Sequence, residues 1–279
     1  MDTIRTPADR QSNVKEVGYD LSDAGRNDRQ FVTALARGLD VLRAFGSGSG
    51  PLGNQEIAEF TRLPKPTVSR LTHTLTRLGY LNSIPRLAKY ELGTPVLALG
   101  YAAIANMQVR QVALHQMQEL ATYADASVAL ADRDRLSMLY VQNCVGRSTL
   151  ALRIEVGTRV PIALTSLGRA LLAAMPEHER DYLMDHIRKR NDDNWPKLRK
   201  SIEGCIRQVE RRGFCLVDGE WRKHVRAVAV PLVLPGDRGV MALNCAGPAV
   251  KLDLEQLETD LGPRLVHLAR NVESMLYRP

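Results

Sequence analysis

Apolar side chains at Phe31, Leu35, Leu39, Leu42 and Phe45 fall at i, i+4, i+8, i+11 and i+14, the spacing of one helix face. The run Gly46-Ser47-Gly48-Ser49-Gly50-Pro51 ends that helix. A short helix follows, capped by Asn54 or Gly53, with Ile57, Ala58 and Phe60 inside it. Thr61-Arg62-Leu63 links it to a third helix that opens at Pro64-Lys65-Pro66, runs to Leu78 and stops at Gly79. Proline suits a first turn and glycine the end of a last one. Residues 80–84 and 89–92 read as strands around the turn Pro85-Arg86-Leu87-Ala88. Thr94-Pro95 opens a further helix, bent or broken near Asn106 and reaching about Tyr123. Its first half carries Val96, Leu97, Leu99, Tyr101, Ala102 and Ile104 on most sides, so it has to be buried. That predicts packing against a second copy of the chain, with packing back on its own domains as the alternative.

From Ala126 the pattern changes to alternation. Residues 128–131 and 136–143 are expected strands around a turn at Asp132-Arg133-Asp134-Arg135, and residues 149–155 a third. Helices are expected at 166–174, 177–187 and 195–212, the last stopped by Gly213. Strands follow at 214–217, 226–234 and 239–244, the last two joined at Pro235-Gly236-Asp237. Asp253 with Gln256 resembles a capping box opening a final helix at 254–276. Antiparallel hairpins with helices between them predict an α+β domain. Residues 1–30 are polar, mixed in charge and without periodicity, and read as a disordered tail. The chain thus divides into a tail (1–30), a helical domain with a hairpin (31–92), a linker helix (93–106) and an α+β domain (107–279).

Composition narrows the function classes. With 44% hydrophobic and 25% charged residues the chain has an ordinary globular make-up, and its 279 residues suggest two domains, or one large one. The longest apolar run, residues 228–234, is interrupted by Pro231, and the first residues have no apolar stretch like a signal peptide. A soluble cytoplasmic protein is expected. Cys144, Cys205, Cys215 and Cys245 form no C-x-x-C pair and read as reduced packing thiols. The net charge of +7 is concentrated. Residues 61–90 hold Arg62, Lys65, Arg70, Arg77, Arg86 and Lys89 and no acid, which fits a phosphate-facing surface.

Within that block the third helix has two faces. Val68, Leu71, Leu75 and Leu78 share one; Pro66, Ser69, Arg70, His73, Thr76 and Arg77 lie opposite. Helix, short helix, turn, helix and hairpin is the order of a winged helix-turn-helix, whose second helix enters the major groove of double-stranded DNA. Arg70 is the expected base-reading residue, because its guanidinium matches guanine O6 and N7. Ser69 and His73 are placed for bases or phosphates. Lys65, Thr67 and Arg77, with Pro66 in the same first turn and Arg86 and Lys89 on the wing, are expected to position the phosphate backbone.

Leu63-Pro64-Lys65-Pro66-Thr67-Val68-Ser69-Arg70-Leu71, preceded by Gln55-Glu56-Ile57-Ala58 and followed by Leu78-Gly79-Tyr80-Leu81, resembles the DNA-binding half of IclR-type transcriptional regulators. Gly157-Thr158-Arg159-Val160-Pro161 and Thr165-Ser166-Leu167-Gly168-Arg169-Ala170-Leu171-Leu172-Ala173 are similar to the family's effector-domain signature. Arg211-Arg212-Gly213-Phe214 and Val228-Ala229-Val230-Pro231 match further family positions. The resemblance implies a GAF-like effector domain, a homodimer or homotetramer, and a repressor or activator of catabolic genes. It further implies a pseudo-palindromic operator and a response to a small organic acid or aromatic metabolite.

The resemblance also places an effector pocket between the start of the Ser166 helix and strands near Asp218, Ala227 and Asn244, with Cys245 and Ala246 beside it. Free N–H groups at that helix start suit a carboxylate. Ser166, Asn244 and Cys245 would add polar contacts, Leu167 an apolar wall, and Arg226 or a protonated His224 an anion attraction. No cofactor and no metal is expected. Enzyme readings are weak: Cys215, Asp218 and His224 are near in sequence only, and G-x-S-x-G, G-x-x-x-x-G-K-[ST] and H-E-x-x-H are missing. His178-Glu179 lacks its second histidine, and Asp132-Arg133-Asp134 is a turn rather than a calcium loop. The competing reading is a metabolite-binding module or enzyme whose N-terminal helices contact proteins.

Overall fold

The computed structural model describes residues 29–46, 50–147, 154–236 and 238–277. The expected tail lies almost wholly outside the described residues, as does most of the expected strand at 149–155. The chain forms two compact units, one ending at Ala105 and the other starting at Asn106.

In the first unit, helices α1 (Thr33–Arg43), α2 (Asn54–Thr61) and α3 (Lys65–Arg77) precede the hairpin β1 (Leu81–Ile84) and β2 (Lys89–Leu92), and α4 (Thr94–Ala105) ends the unit. Val41, Ala44, Ile57, Val68 and Leu81 form its core, with Leu42, Phe45, Leu63, Leu71 and Leu75 packed around them. The expected stripe on α1 is only partly buried: Leu35 and Leu39 are exposed, because the helix turns Val41 and Ala44 inward instead. Leu78, expected on the buried face of α3, lies beyond the end of the helix and is also exposed. Gly53 caps α2, and its N–H donates to the Glu56 carboxylate at 2.7 Å. Asn54 is thereby freed to accept from the buried Thr72 hydroxyl at 3.2 Å, tying α3 to the start of α2. Arg62 takes the left-handed conformation (φ 56°) that makes the turn between the two helices.

In the second unit, α5 (Gln108–Ala124) precedes β3 (Ser127–Asp134), β4 (Ser137–Val145) and β5 (Arg159–Pro161). Helices α6 (Ser166–Ala174), α7 (Glu177–Arg190) and α8 (Trp195–Arg212) follow, then β6 (Cys215–Asp218), β7 (Val225–Val233) and β8 (Val240–Pro248). The chain closes with α9 (Leu254–Gln256), a π turn and α10 (Gly262–Leu276). Among the described residues, the strands form one antiparallel sheet in the order β5-β4-β3-β8-β7-β6. The expected turn at 132–135 is corrected. β3 runs on to Asp134, whose carboxylate holds Arg159 at 2.8 Å, and the chain reverses after it, with Arg135 at φ 60°.

Alternation gives the sheet two different faces. Val128, Leu130, Val228, Val230, Leu243 and Cys245 pack with α5 and α10 in one core. Opposite them stand mostly small residues (Ala129, Ala131, Ala229, Ala242), against which α6 lies. Gly168 lets α6 pass close to the chain after β5: a Cβ there would sit 2.0 Å from the carbonyl oxygen of Ile162. A bulge in the β3–β4 pairing between Leu130 and Ala131 resets the alternation, so Tyr140 faces α6 while Cys144 faces α5.

Candidate functional site

In the first unit, Lys65, Pro66, Ser69, Arg70, His73 and Arg77 are exposed on α3, Thr67 is half-buried, and Arg86 is exposed on the hairpin turn. Proline at the second position of α3 and apolar Val68 and Leu71 on its inner side fix which face remains outside. Lys65, Arg70, Arg77 and Arg86 make no ion pair among the described residues, so their charge is available to phosphate. Lys89 differs from its sequence expectation. Its ammonium is 2.9 Å from the Glu56 carboxylate, which also caps α2, so the residue braces the hairpin against the helices. The Gly53 N–H and then Lys89 lower the Glu56 carboxyl below its ordinary value.

In the second unit, a narrow recess with a cavity volume of about 30 Å³ opens where the start of α6 meets β7, β8 and the loop after β6. Tyr140, Asn244, Ala227 and Ala246 come from the sheet, Thr165 and Ser166 from the helix start, and Trp221, Arg222 and Val225 from the loop and its strand. Thr165 caps α6, its hydroxyl accepting from the Gly168 N–H at 3.4 Å. Among the described residues, two buried polar atoms at the recess, Ser166 Oγ and Asn244 Oδ1, have no hydrogen-bond partner. Such orphans cost stability unless something pairs with them. Burial pushes the Tyr140 phenol far above its usual range, so it stays a donor. At the exposed rim, the Arg222 guanidinium stacks 4.4 Å from the Trp221 ring centre.

Ser166, Ala227, Asn244 and Ala246 thus meet at the recess, whereas Leu167, Asp218 and Cys245 lie elsewhere. Leu167 is fully buried in the core beneath α7 and α8, on the far side of the helix start. Cys245 alternates to the opposite face of β8. Asp218 turns outward and binds Arg226 at 3.0 Å. Arg226 also donates to the carbonyls of Ala249 and Leu252, so it is committed to structure, and Arg222 is the cation at the rim. Cys215 is completely buried while Asp218 and His224 are exposed, so no thiol–imidazole site assembles from them. Among the described residues, no group of three or more His, Cys, Asp or Glu side chains is placed to hold a metal ion, and no helix is long and apolar enough to cross a membrane. The sequence reading missed Tyr140, Thr165, Val217, Trp221 and Arg222. Trp221-Arg222, an aromatic next to a cation in a loop, was the one local signal available.

Residues 34–85 match the IclR helix-turn-helix domain, and residues 101–274 match the family described as bacterial transcriptional regulator IclR C-terminal. The chain belongs to the IclR family of transcriptional regulators. A crystal structure of an IclR family transcriptional regulator from Brucella abortus is similar at 52% identity and a TM-score of 0.83, over 89% of this chain and 94% of that one. The HTH-type transcriptional regulator TsaQ1/TsaQ2 of Comamonas testosteroni is 34% identical over 246 residues, 88% of each chain. An IclR homologue from Microbacterium hydrocarbonoxydans, solved in complex with 4-hydroxybenzoate, shares the fold at 21% identity and a TM-score of 0.66, over 88% and 98% of the two chains. This regulator is accordingly a DNA-binding protein of mixed α+β fold, and the enzyme reading falls away.

Proposed function

We propose that this cytoplasmic IclR-family regulator binds a small aromatic or organic hydroxy acid in the recess at α6 and thereby controls genes for that compound's breakdown. The observation that carries this reading is the pair of orphaned polar atoms, Ser166 Oγ and Asn244 Oδ1, below the Arg222 guanidinium. A carboxamide oxygen only accepts, so it calls for a ligand with a hydroxyl or N–H donor. Arg222 and the N–H groups opening α6 call for an anion. A hydroxybenzoate carries both groups, its ring requiring the recess to widen from about 30 Å³, and the 4-hydroxybenzoate held by the Microbacterium homologue supports the choice of probe. Residues 31–92 serve as the DNA-binding domain, 93–106 as the linker helix and 107–279 as the effector and oligomerisation domain. Exposed Val32, Leu35 and Leu39 on or beside α1, and Leu97, Leu99 and Tyr101 on α4, support a homodimer, alone or paired as a tetramer. Such a dimer reads a pseudo-palindromic operator with half-sites about 34–36 Å or a multiple apart.

Titration of the Trp195→Phe regulator with 4-hydroxybenzoate, benzoate and aliphatic hydroxy acids, followed by the fluorescence of Trp221, its one remaining tryptophan, tests the pocket. At least one hydroxy acid is expected to bind, and Asn244→Leu to weaken it about tenfold, as for a lost hydrogen bond to an anionic ligand's donor. Unchanged affinity in Asn244→Leu for every ligand that binds would overturn the assignment.

Anisotropy on the DNA upstream of the regulator's own gene tests the interface. Specific binding should fall steeply with salt. Arg86→Ala is expected to reduce the log–log slope by about 0.9, the loss of one phosphate contact. Lys89→Ala should leave it unchanged, since its partner is Glu56. Equal slopes for wild type and Arg86→Ala would remove the hairpin from the interface.

A further inference from the structure

Most of the recess wall is pinned by regular structure. Tyr140 lies opposite Ala131 in the β3–β4 ladder, and Ala227 and Asn244 lie opposite Ala246 and Ala229 in the β7–β8 ladder. Ser166 is buried at the start of α6, where the Thr165 hydroxyl donates to the Pro161 carbonyl at 2.8 Å. The loop 219–224 forms the outer wall. Its ends are tied to the sheet: the Gly219 N–H donates to the Val225 carbonyl at 3.0 Å, and the Ala249 N–H to the His224 carbonyl at 2.9 Å. Between them Arg222 and Lys223 are exposed, and Trp221 is half-buried against the core beneath α7 and α8. The middle of the loop is tied to neighbouring elements through Glu220. Its carboxylate accepts two bonds from Arg169, one turn after Ser166 on α6, and a third from the Ser201 hydroxyl on α8 at 2.8 Å. Arg169 is itself fixed, its Nε donating to the Ala163 carbonyl at 2.9 Å.

A cavity of about 30 Å³ takes a group the size of a water, and an aromatic ring does not fit it. Part of the wall must therefore yield when a ring enters. Displacing a strand breaks ladder hydrogen bonds, and displacing Glu220 strands the buried Arg169 charge. Rotating the Trp221 side chain breaks no backbone hydrogen bond. We propose that the Trp221 indole is the gate of the recess and that Glu220 is the residue that positions it. The proposal rests on the reading of the recess as the effector site, and it makes Trp221 the determinant of effector class. The indole swings aside to admit the ring and then stacks on it, while Arg222 at the rim meets the carboxylate. Aromatic acids thereby gain over aliphatic acids of the same charge. Glu220 holds the backbone next to Trp221 on α6 and α8 throughout, so the open and closed positions of the indole share one fixed root.

Two measurements on the full-length protein decide it. The first needs no ligand and uses the Trp195→Phe protein, in which Trp221 alone emits. Glu220→Ala should shift its emission to the red and raise its quenching by acrylamide. Glu220→Gln keeps the length of the arm and an acceptor for Arg169, and should leave both readouts at the parent values although the charge is gone. A pair that only stabilised the fold would make the two variants alike, so the same Trp221 signal in both overturns the positioning role. Should Glu220→Ala fail to fold, Arg169→Met combined with Glu220→Ala takes its place, since no charge is then stranded. The second measurement is calorimetry with 4-hydroxybenzoate and lactate. Wild type should prefer 4-hydroxybenzoate, and Trp221→Leu, which keeps apolar bulk without the indole face, should reduce that preference about 2- to 12-fold, as for one aromatic pair. An unchanged preference, or binding of lactate alone, overturns the gate and leaves the effector site standing. Binding of neither acid to wild type overturns the effector-site reading and the gate with it.

Discussion

Replacing Glu220 by alanine is expected to cost about 3 kcal/mol of folding stability, because it strands a guanidinium that water cannot reach. Among the described residues, Arg169 is the largest fully buried side chain, with no exposed surface. Its Nη1 and Nη2 meet the two Glu220 carboxylate oxygens at 2.7 and 2.5 Å, Nε donates to the Ala163 carbonyl and Nη1 also to the Ser201 hydroxyl, both at 2.9 Å, with Cys205 Sγ 3.6 Å from Nη1. Removing one partner of a buried pair costs about 3–5 kcal/mol, and the lower end applies here because the Glu220 side chain keeps 36% of its exposure. Urea denaturation should show the loss. Arg169→Met combined with Glu220→Ala should recover much of it, since no unpaired charge is left behind. Equal stability of Glu220→Ala and wild type would mean that the neutral acceptors suffice. The effect also has a pH signature. Arg169 lowers the Glu220 carboxyl, so the pair's contribution is complete above the unfolded value of about 4.3 and fades as pH falls through the lower folded value. The gap between wild type and Glu220→Ala should therefore be full at neutral pH and narrow only below about pH 4.

Arg70→Ala should weaken binding at the specific operator by about 5- to 150-fold, the loss of one bidentate contact to guanine, worth roughly 1–3 kcal/mol. On scrambled DNA the same variant should lose only what one surface charge contributes. Arg70 is exposed on α3 and free of ion pairs among the described residues, so nothing inside the protein competes for its planar fork. Arg70→Lys keeps the charge without the fork, and should hold non-specific binding while losing discrimination. Competition anisotropy with specific and scrambled duplexes separates these effects. Equal losses on both duplexes would make Arg70 a phosphate contact and pass base reading to Ser69 or His73.

Order and type of most elements follow from local signals along the chain, though β5 (Arg159–Pro161) was not among the expected strands and a π turn interrupts the expected final helix. The split between Val68-Leu71 and Ser69-Arg70 settled which side of α3 faces out, and Gly213, with φ 84°, ended α8 where expected. The capping contact of Asp253 with the Gln256 N–H is likewise contained in four consecutive residues. The signature around Ser166 also pointed to one wall of the recess. Tertiary structure decided the rest. Whether Leu35 is buried depends on what lies against α1, which its own periodicity cannot specify. A single bulge decides that Tyr140 and Cys144 face different cores, and strand phase decides that Asn244 enters the recess while Cys245 leaves it. Glu56 takes Lys89 out of the basic surface, and Glu220 finds Arg169 across 51 residues. Such pairings depend on the folded distance between side chains, and a linear pattern carries no information about that distance.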